Sequence, residues 1–233
     1  ALHHGYLRQI RDRGGRIETS SEVIALARSG DGWRVETARG TFAAPVVVNA
    51  AGAWADEVAR MAGVATVGLT PKRRTALIVD ALGGHVDDAW PMVVDIDEEF
   101  YLKPDAGRLL LSPADETPSP PCDAQPEELD IAICIDRIER AFDIEVRHVV
   151  NRWAGLRSFV ADKVPVVGFA ADAPGFFWLA GQGGYGIQSA PAMARTAAAL
   201  VQGNPIPDDI AAEGVDADAL SPQRVGLAKE AMQ

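Results

Sequence analysis

Arginines in apolar company are the residues of this sequence that most need a chemical explanation. Arg157 stands in WAGLRSF, residues 153–159, where a guanidinium must find a partner. A core carboxylate would make it a structural ion pair. A substrate carboxylate would use its planar fork of donors for a two-point grip. Arg73 and Arg74 open the strand-like run KRRTALIVD, where alternation sends one to each face, so one of them can join Arg157. Tyr101, between Phe100 and Leu102, is either a core aromatic or the wall of a ligand site. Gly181, Gly183, Gly184 and Gly186 add a backbone signal, since amides in a glycine turn can approach an anionic or electron-rich ligand. No Ser-His-Asp or Cys-His set offers a nucleophile, and Cys122 and Cys134 have no metal spacing. The sequence therefore offers no nucleophile set and no metal set.

The glycines join a buried strand, FFWLA at 176–180, to an Ala-rich helix that ends at Gly203, with Ser189 as cap and Pro191 in its first turn. Gly181, Gly183 and Gly186 satisfy G-x-G-x-x-G, but a dinucleotide unit needs a further strand and a ribose-binding acid. Beyond the helix the chain runs into GNPIP and an acidic tail. Three readings stand at this turn: a pyrophosphate loop, a tight packing turn, and a cofactor turn of another kind.

The elements before this turn must position the rest. Leu2, Tyr6, Leu7 and Ile10 share a helical face that ends at Gly14 and Gly15. Residues 16–26 read as a bent strand or strand pair, and turns at 29–32 and 38–40 complete the pattern of an antiparallel meander. APVVVNAA, residues 44–51, reads as a strand buried on both faces, then Gly52 and a helix to Met61. Asn49, at that strand's end, either satisfies turn backbone or touches a ligand. Strands at 72–80, 91–96, 99–104 and 108–113 form an antiparallel sheet, with a helix at 128–142 and strands at 145–154 and 164–170 after it.

The expected fold is α/β plus antiparallel sheet. A partial Rossmann-like domain, residues 1–70 and 159–233, is interrupted by an antiparallel β domain at 71–158. With 233 residues, 48% apolar and 24% charged, the chain can bury a sizeable core. A net charge of −11 argues against nucleic acid or an anionic membrane as partner. Two cysteines and no signal-peptide pattern point to the cytoplasm. The chain opens at Ala1 inside a helical pattern, so the expectation is a portion of a longer protein.

Assembled, these pieces resemble the flavin-dependent D-amino-acid oxidase superfamily, which includes glycine and sarcosine oxidases and D-amino-acid dehydrogenases. VVVNAAGAWADEVARMAGV, EFYLKPDAG, WAGLRSFVADKVPVVG and FFWLAGQGGYGIQSAPAMA carry the resemblance over essentially the whole chain, nearest to bacterial D-arginine dehydrogenase-like members. The family's N-terminal βαβ unit, with its own glycine loop and acid, is not among these residues. FAD is the implied cofactor, held weakly by this stretch alone. The resemblance implies that Val23 contacts adenine through its backbone and that Ala50 and Gly52 lie near ribose and phosphate. Gly183, Gly184, Tyr185, Gly186, Ile187 and Gln188 would face the flavin's pyrimidine end. Arg74 and Arg157 would clamp the carboxylate of a small amino-acid substrate, with Tyr101, Gly184 and Gln188 lining the pocket. Hydride would pass from Cα to flavin N5 without a catalytic side-chain acid or base, giving an imine and then a keto acid, with the electron acceptor left open. Two other readings are a ligand-binding remnant without flavin and a nicotinamide enzyme using residues 181–186.

Overall fold

The computed structural model describes residues 2–81 and 86–227. Helix α1, Leu2–Asp12, stops where Gly14 turns to φ +80°, and it buries none of its residues. The meander comes next as β1 (Val23–Ser29), β2 (Gly32–Thr37) and β3 (Gly40–Ala44), with Ser29 opposite Gly32 across a tight turn. Residues 16–22, expected to be strand, form none. Their groups are used locally: the Thr19 carbonyl accepts from the Ser21 hydroxyl and the Arg39 guanidinium, and Ser20 takes φ +53°.

A second sheet has the order β10 (Val166–Phe169), β11 (Phe176–Ala180), β4 (Val47–Asn49), with β11 parallel to β4 and antiparallel to β10. Its core is aromatic. Phe176 sits edge-on to Trp33 and to Trp178, and all three are fully buried. The strand expected over 44–51 is shorter and only half covered: β4 is the sheet's edge, and Val48 is 46% exposed. A 3-10 turn, Gly52–Trp54, leads into α2, Ala55–Met61. Buried Asn49 serves that turn, donating to the Ala55 carbonyl at 2.8 Å and accepting from the Ala51 amide at 3.3 Å. Asp56 anchors the next loop, accepting from the amides of Val67 (3.1 Å) and Leu69 (2.8 Å).

The third sheet has five strands in the order β6 (Val93–Val94), β7 (Tyr101–Asp105), β8 (Arg108–Ser112), β5 (Thr70–Ala81), β9 (Val146–Phe159), every neighbour antiparallel. Alternation gives it two unlike faces. Leu77, Val79, Leu109 and Leu111 point into a core closed by Ile131, Cys134 and Ile138 of α3, Glu128–Ala141. The other face carries Lys72, Arg74, Tyr101 and Arg157. Strand β9 is longer than expected and takes in the whole WAGLRSF run, which pairs with the first half of β5.

After β11 the chain forms α4 (Gly186–Val201) and two short helices, α5 (Asp208–Ala211) and α6 (Ala217–Leu220). No strand comes after α4 among the described residues. Their helices include none long and apolar enough to cross a membrane.

Candidate functional site

Register decides which arginine meets Arg157. Lys72 lies opposite Arg157 across β5 and β9, and Arg74 lies opposite Gly155. Lys72, Arg74 and Arg157 therefore share one face, with Arg74 and Arg157 as diagonal neighbours whose backbones are roughly 7–8 Å apart. Arg73 points the other way. Its guanidinium, 12% exposed, pairs with Glu127 and, at 2.9 Å, with Asp130. One arginine fastens the sheet to α3, and the other faces the site.

Arg157 is half-buried, and its guanidinium has no hydrogen bond or ion pair among the described residues. It lies against the glycine turn. A Cβ on Gly184 would come within 3.0 Å of its Nη1 and 3.5 Å of its Cζ. The turn is itself pinned to β9: the Gly183 amide donates to the Ser158 carbonyl at 3.0 Å, and a Cβ on Gly183 would strike the Phe159 ring at 2.4 Å. With φ +75° at Gly181 and +54° at Gly183, the backbone favours glycine at both positions.

The turn opens directly into α4. Tyr185 is the cap position, but no side chain caps the helix. Ser189, expected to be the cap, lies inside the first turn and donates its hydroxyl back to the Tyr185 carbonyl at 2.9 Å. Pro191 is correspondingly deeper, within the helix and not in its first turn. The reason is steric: the glycine turn lets the helix start at Gly186, three residues before the first polar cap candidate. The leading amides of α4 are left without intrahelical acceptors, and this end of the helix carries a partial positive charge. Tyr185, Ile187 and Gln188 are exposed around this end, Ile187 at 80%.

Arg74 is placed on the same face but is already engaged. Its Nε donates to the Asp115 carbonyl at 2.8 Å, and Nη2 lies 3.4 Å from the Glu116 carboxylate. Nη1 alone keeps no partner among the described residues. Tyr101 also faces this side, half-buried, on β7 and opposite Ser112. Val23 starts β1, while Ala50 and Gly52 lie at the end of β4, both exposed, Gly52 with φ +59°. Val23 thus belongs to the first sheet and Ala50 and Gly52 follow a strand of the second, so none of the three is on the strands that carry Arg74 and Arg157.

Two residues of this face escape a reading of the sequence. Lys72 was available by alternation, two positions before Arg74; its ammonium sits 5.3 Å over the Phe159 ring. Glu116 was not, because its place depends on how a non-repetitive loop lies across β5. Its carboxylate accepts from Lys72 Nζ at 2.8 Å. That hydrogen bond, with the neighbouring Lys163 and Arg74 charges, holds Glu116 below the usual carboxylate range.

Comparison with known proteins places this arrangement. Residues 1–200 match the profile of the FAD dependent oxidoreductase family (DAO). Glycine oxidase of Geobacillus kaustophilus is 28% identical over 186 residues, covering 78% of this chain and 47% of that protein. Mouse mitochondrial sarcosine dehydrogenase is 29% identical over 153 residues, covering 61% and 16%. Among solved structures, the same glycine oxidase superposes with a TM-score of 0.72 at 24% identity, covering 91% of this chain and 54% of that one. Iminodiacetate oxidase from Chelativorans sp. BNC1 gives 0.75 at 18% identity, covering 95% and 57%. The chain thus spans about half or less of the relatives it matches. These neighbours share its fold, a partial FAD-binding α/β domain joined to an antiparallel sheet. On the match over residues 1–200, the chain belongs to the family of FAD-dependent oxidoreductases.

Proposed function

We propose that this chain carries the substrate sheet and closing flavin turn of an enzyme that oxidises the C–N bond of an amino acid, either a D-amino acid or an N-substituted glycine. The observation that carries this reading is the partnerless Arg157 guanidinium, seated against Gly184 beside the uncapped start of α4. Relatives named for glycine and sarcosine support the substrate class. In this reading residues 1–70 and 159–233 serve the flavin, and residues 71–158 the substrate.

The residues present fit one end of a flavin. The leading amides of α4, at Gly186, Ile187 and Gln188, are free to face an electron-rich pyrimidine edge, where a helix N-terminus stabilises negative charge. Gly183, Gly184 and Tyr185 shape the approach to it. Val23, Ala50 and Gly52 would hold the adenine and ribose end. A bound flavin would supply the acceptor for the hydride of the substrate Cα–H bond, and hydrolysis of the resulting imine would give a keto acid and ammonia from a D-amino acid, or glyoxylate and an alkylamine from an N-substituted glycine.

The chain's own contribution is positioning. Arg157 grips the substrate carboxylate with two parallel hydrogen bonds, and Arg74 adds Nη1 from the diagonal position. Tyr101 walls the far side of the pocket. Gly184 and Gln188 line the approach between substrate and cofactor, and the absence of a Cβ at Gly184 lets the guanidinium reach the turn. No side-chain nucleophile is needed.

Anaerobic mixing of FAD-loaded protein with D-amino acids and N-alkylglycines tests the reading. The expected result is bleaching of the visible flavin absorbance by at least one of them. Failure of every member of both classes to bleach a loaded sample overturns it.

A further inference from the structure

Glu116 has a placement that the proposed chemistry does not use. After β8 ends at Ser112 the chain kinks, with Ala114 at φ +51°, and returns as a strap along the edge of β5 opposite β9. The strap is fixed on both sides of Glu116. Before it, the Asp115 carboxylate accepts from the Thr75 amide at 2.6 Å and the Thr75 hydroxyl at 3.0 Å. After it, the Arg73 amide donates to the Thr117 carbonyl at 2.8 Å and the Ser119 amide to the Pro71 carbonyl at 3.0 Å. Glu116 is therefore delivered to one place, between Lys72 and Arg74, with its side chain 39% exposed. Arg157 lies across β5 from it, on β9.

Among the described residues the two strands thus bring Lys72, Arg74 and Arg157 to this face with one built-in carboxylate, Glu116, which also feels the nearby Lys163 charge. Lys72 is fully matched by Glu116, Arg74 is engaged on that side through Nη2, and Arg157 is unmatched. The donors on this face left without a partner among the described residues are those of Arg157 and Arg74 Nη1, on diagonal positions of β9 and β5. The donors on the strap side are taken by Glu116. Without Glu116, Lys72 and the second edge of Arg74 would lie open beside the unpartnered donors, and a ligand with two carboxylates could span both. With it, a second carboxylate would meet a fixed anion instead.

We propose that Glu116 is a specificity-determining residue: it occupies the position on Lys72 and Arg74 that a second substrate carboxylate would take, and so restricts the site to amino acids with a single carboxylate. This rests on the reading of Arg157 and Arg74 as the carboxylate site. The substrate class it selects is monocarboxylic, and dicarboxylic amino acids are excluded by charge, not by size.

Binding of flavin-free probes to the full 233-residue chain tests this. Propionate, succinate and glutarate are titrated by NMR into the wild type, Glu116→Gln and Arg157→Gln. In the wild type, propionate should bind and neither dicarboxylate should bind more tightly. In Glu116→Gln, succinate or glutarate should tighten by about tenfold or more, the worth of one charge-assisted contact, while propionate changes by less than about threefold. Glu116→Asp, which keeps the charge, should retain the wild-type order. No gain for either dicarboxylate in Glu116→Gln, or a dicarboxylate already preferred by the wild type, overturns the proposal with the carboxylate site intact. Propionate binding that Arg157→Gln leaves unchanged removes the site itself, and this proposal with it.

Discussion

Arg157 and Gly184 act as one unit at the residue scale. The guanidinium is half-buried and unpaired, a state that costs stability unless a ligand uses it. Arg157→Lys keeps the charge and loses the fork. Carboxylate inhibitors should weaken by one to two decades, about 1.5–3 kcal/mol, while the melting temperature and flavin content stay near wild type. An unchanged inhibitor affinity with a lowered melting temperature would return Arg157 to a packing role. Gly184→Ala attacks the same unit from the other side, since its new Cβ would sit 3.0 Å from Nη1. The guanidinium must then shift. The expected outcome is weaker carboxylate binding, about tenfold, with the fold retained because Gly184 is exposed and its φ is not in the left-handed region. An inhibitor titration on this variant checks it, and wild-type affinity would separate Gly184 from the clamp.

Two segments of the chain are each fastened in part by an aspartate. Asp56, in the first turn of α2, is 6% exposed, and burial pushes its carboxyl up despite the amides of Leu69 and Val67. Asp56→Ala leaves both amides without acceptors, a cost of about 1–3 kcal/mol each, read directly by chemical denaturation. The second case is the turn between β9 and β10. Asp162 there receives Arg224 Nε at 2.7 Å and Nη2 at 2.9 Å, fastening the segment after α6. The Arg224 hydrogen bond, foremost among several causes, holds the Asp162 carboxyl below its ordinary range. A depressed folded value means the contact contributes fully above the unfolded pKa, about 3.9, and is lost as pH falls through the folded one. Wild type and Arg224→Gln should therefore differ in melting temperature at pH 7 and the gap should narrow under acid, the remainder coming from the Val164, Pro165, Leu220 and Ser221 carbonyls that the same guanidinium holds at any pH. A constant difference down to strongly acid pH would show that the ion pair is not its source.

For the molecule as a whole, the flavin-facing features are unevenly distributed. In the proposed reading α4 with its glycine turn serves one end of the cofactor, and the described residues contain no second glycine loop opening onto a long helix for the pyrophosphate. Residues 1–233 by themselves should hold FAD weakly. Gel filtration of loaded material, followed by the ratio of flavin to protein absorbance, measures this. Near-stoichiometric retention would mean that the phosphates find donors elsewhere on this chain.

Local chemistry was legible in the sequence wherever it depended on neighbours along the chain. The strand at 176–180, the glycine turn after it, the α3 helix and the alternation that separates Arg73 from Arg74 all come from spacing that the backbone converts directly into geometry. Even the start of α4 failed only in its register: Ser189 has the chemistry of a cap, but the glycine turn had already begun the helix. Tertiary structure alone decided everything set by long-range pairing. Which of the two arginines faces Arg157 depended on the pairing of β5 with β9 across about 80 residues of chain, a register that no local pattern encodes. The exposure of Val48 depended on β4 lying at the edge of its sheet, although its apolar run reads as fully buried. Glu116 depended on both, because a loop residue acquires its partners only when a strap from one strand is laid along another, and Coulomb interactions depend on distance in space rather than separation in sequence.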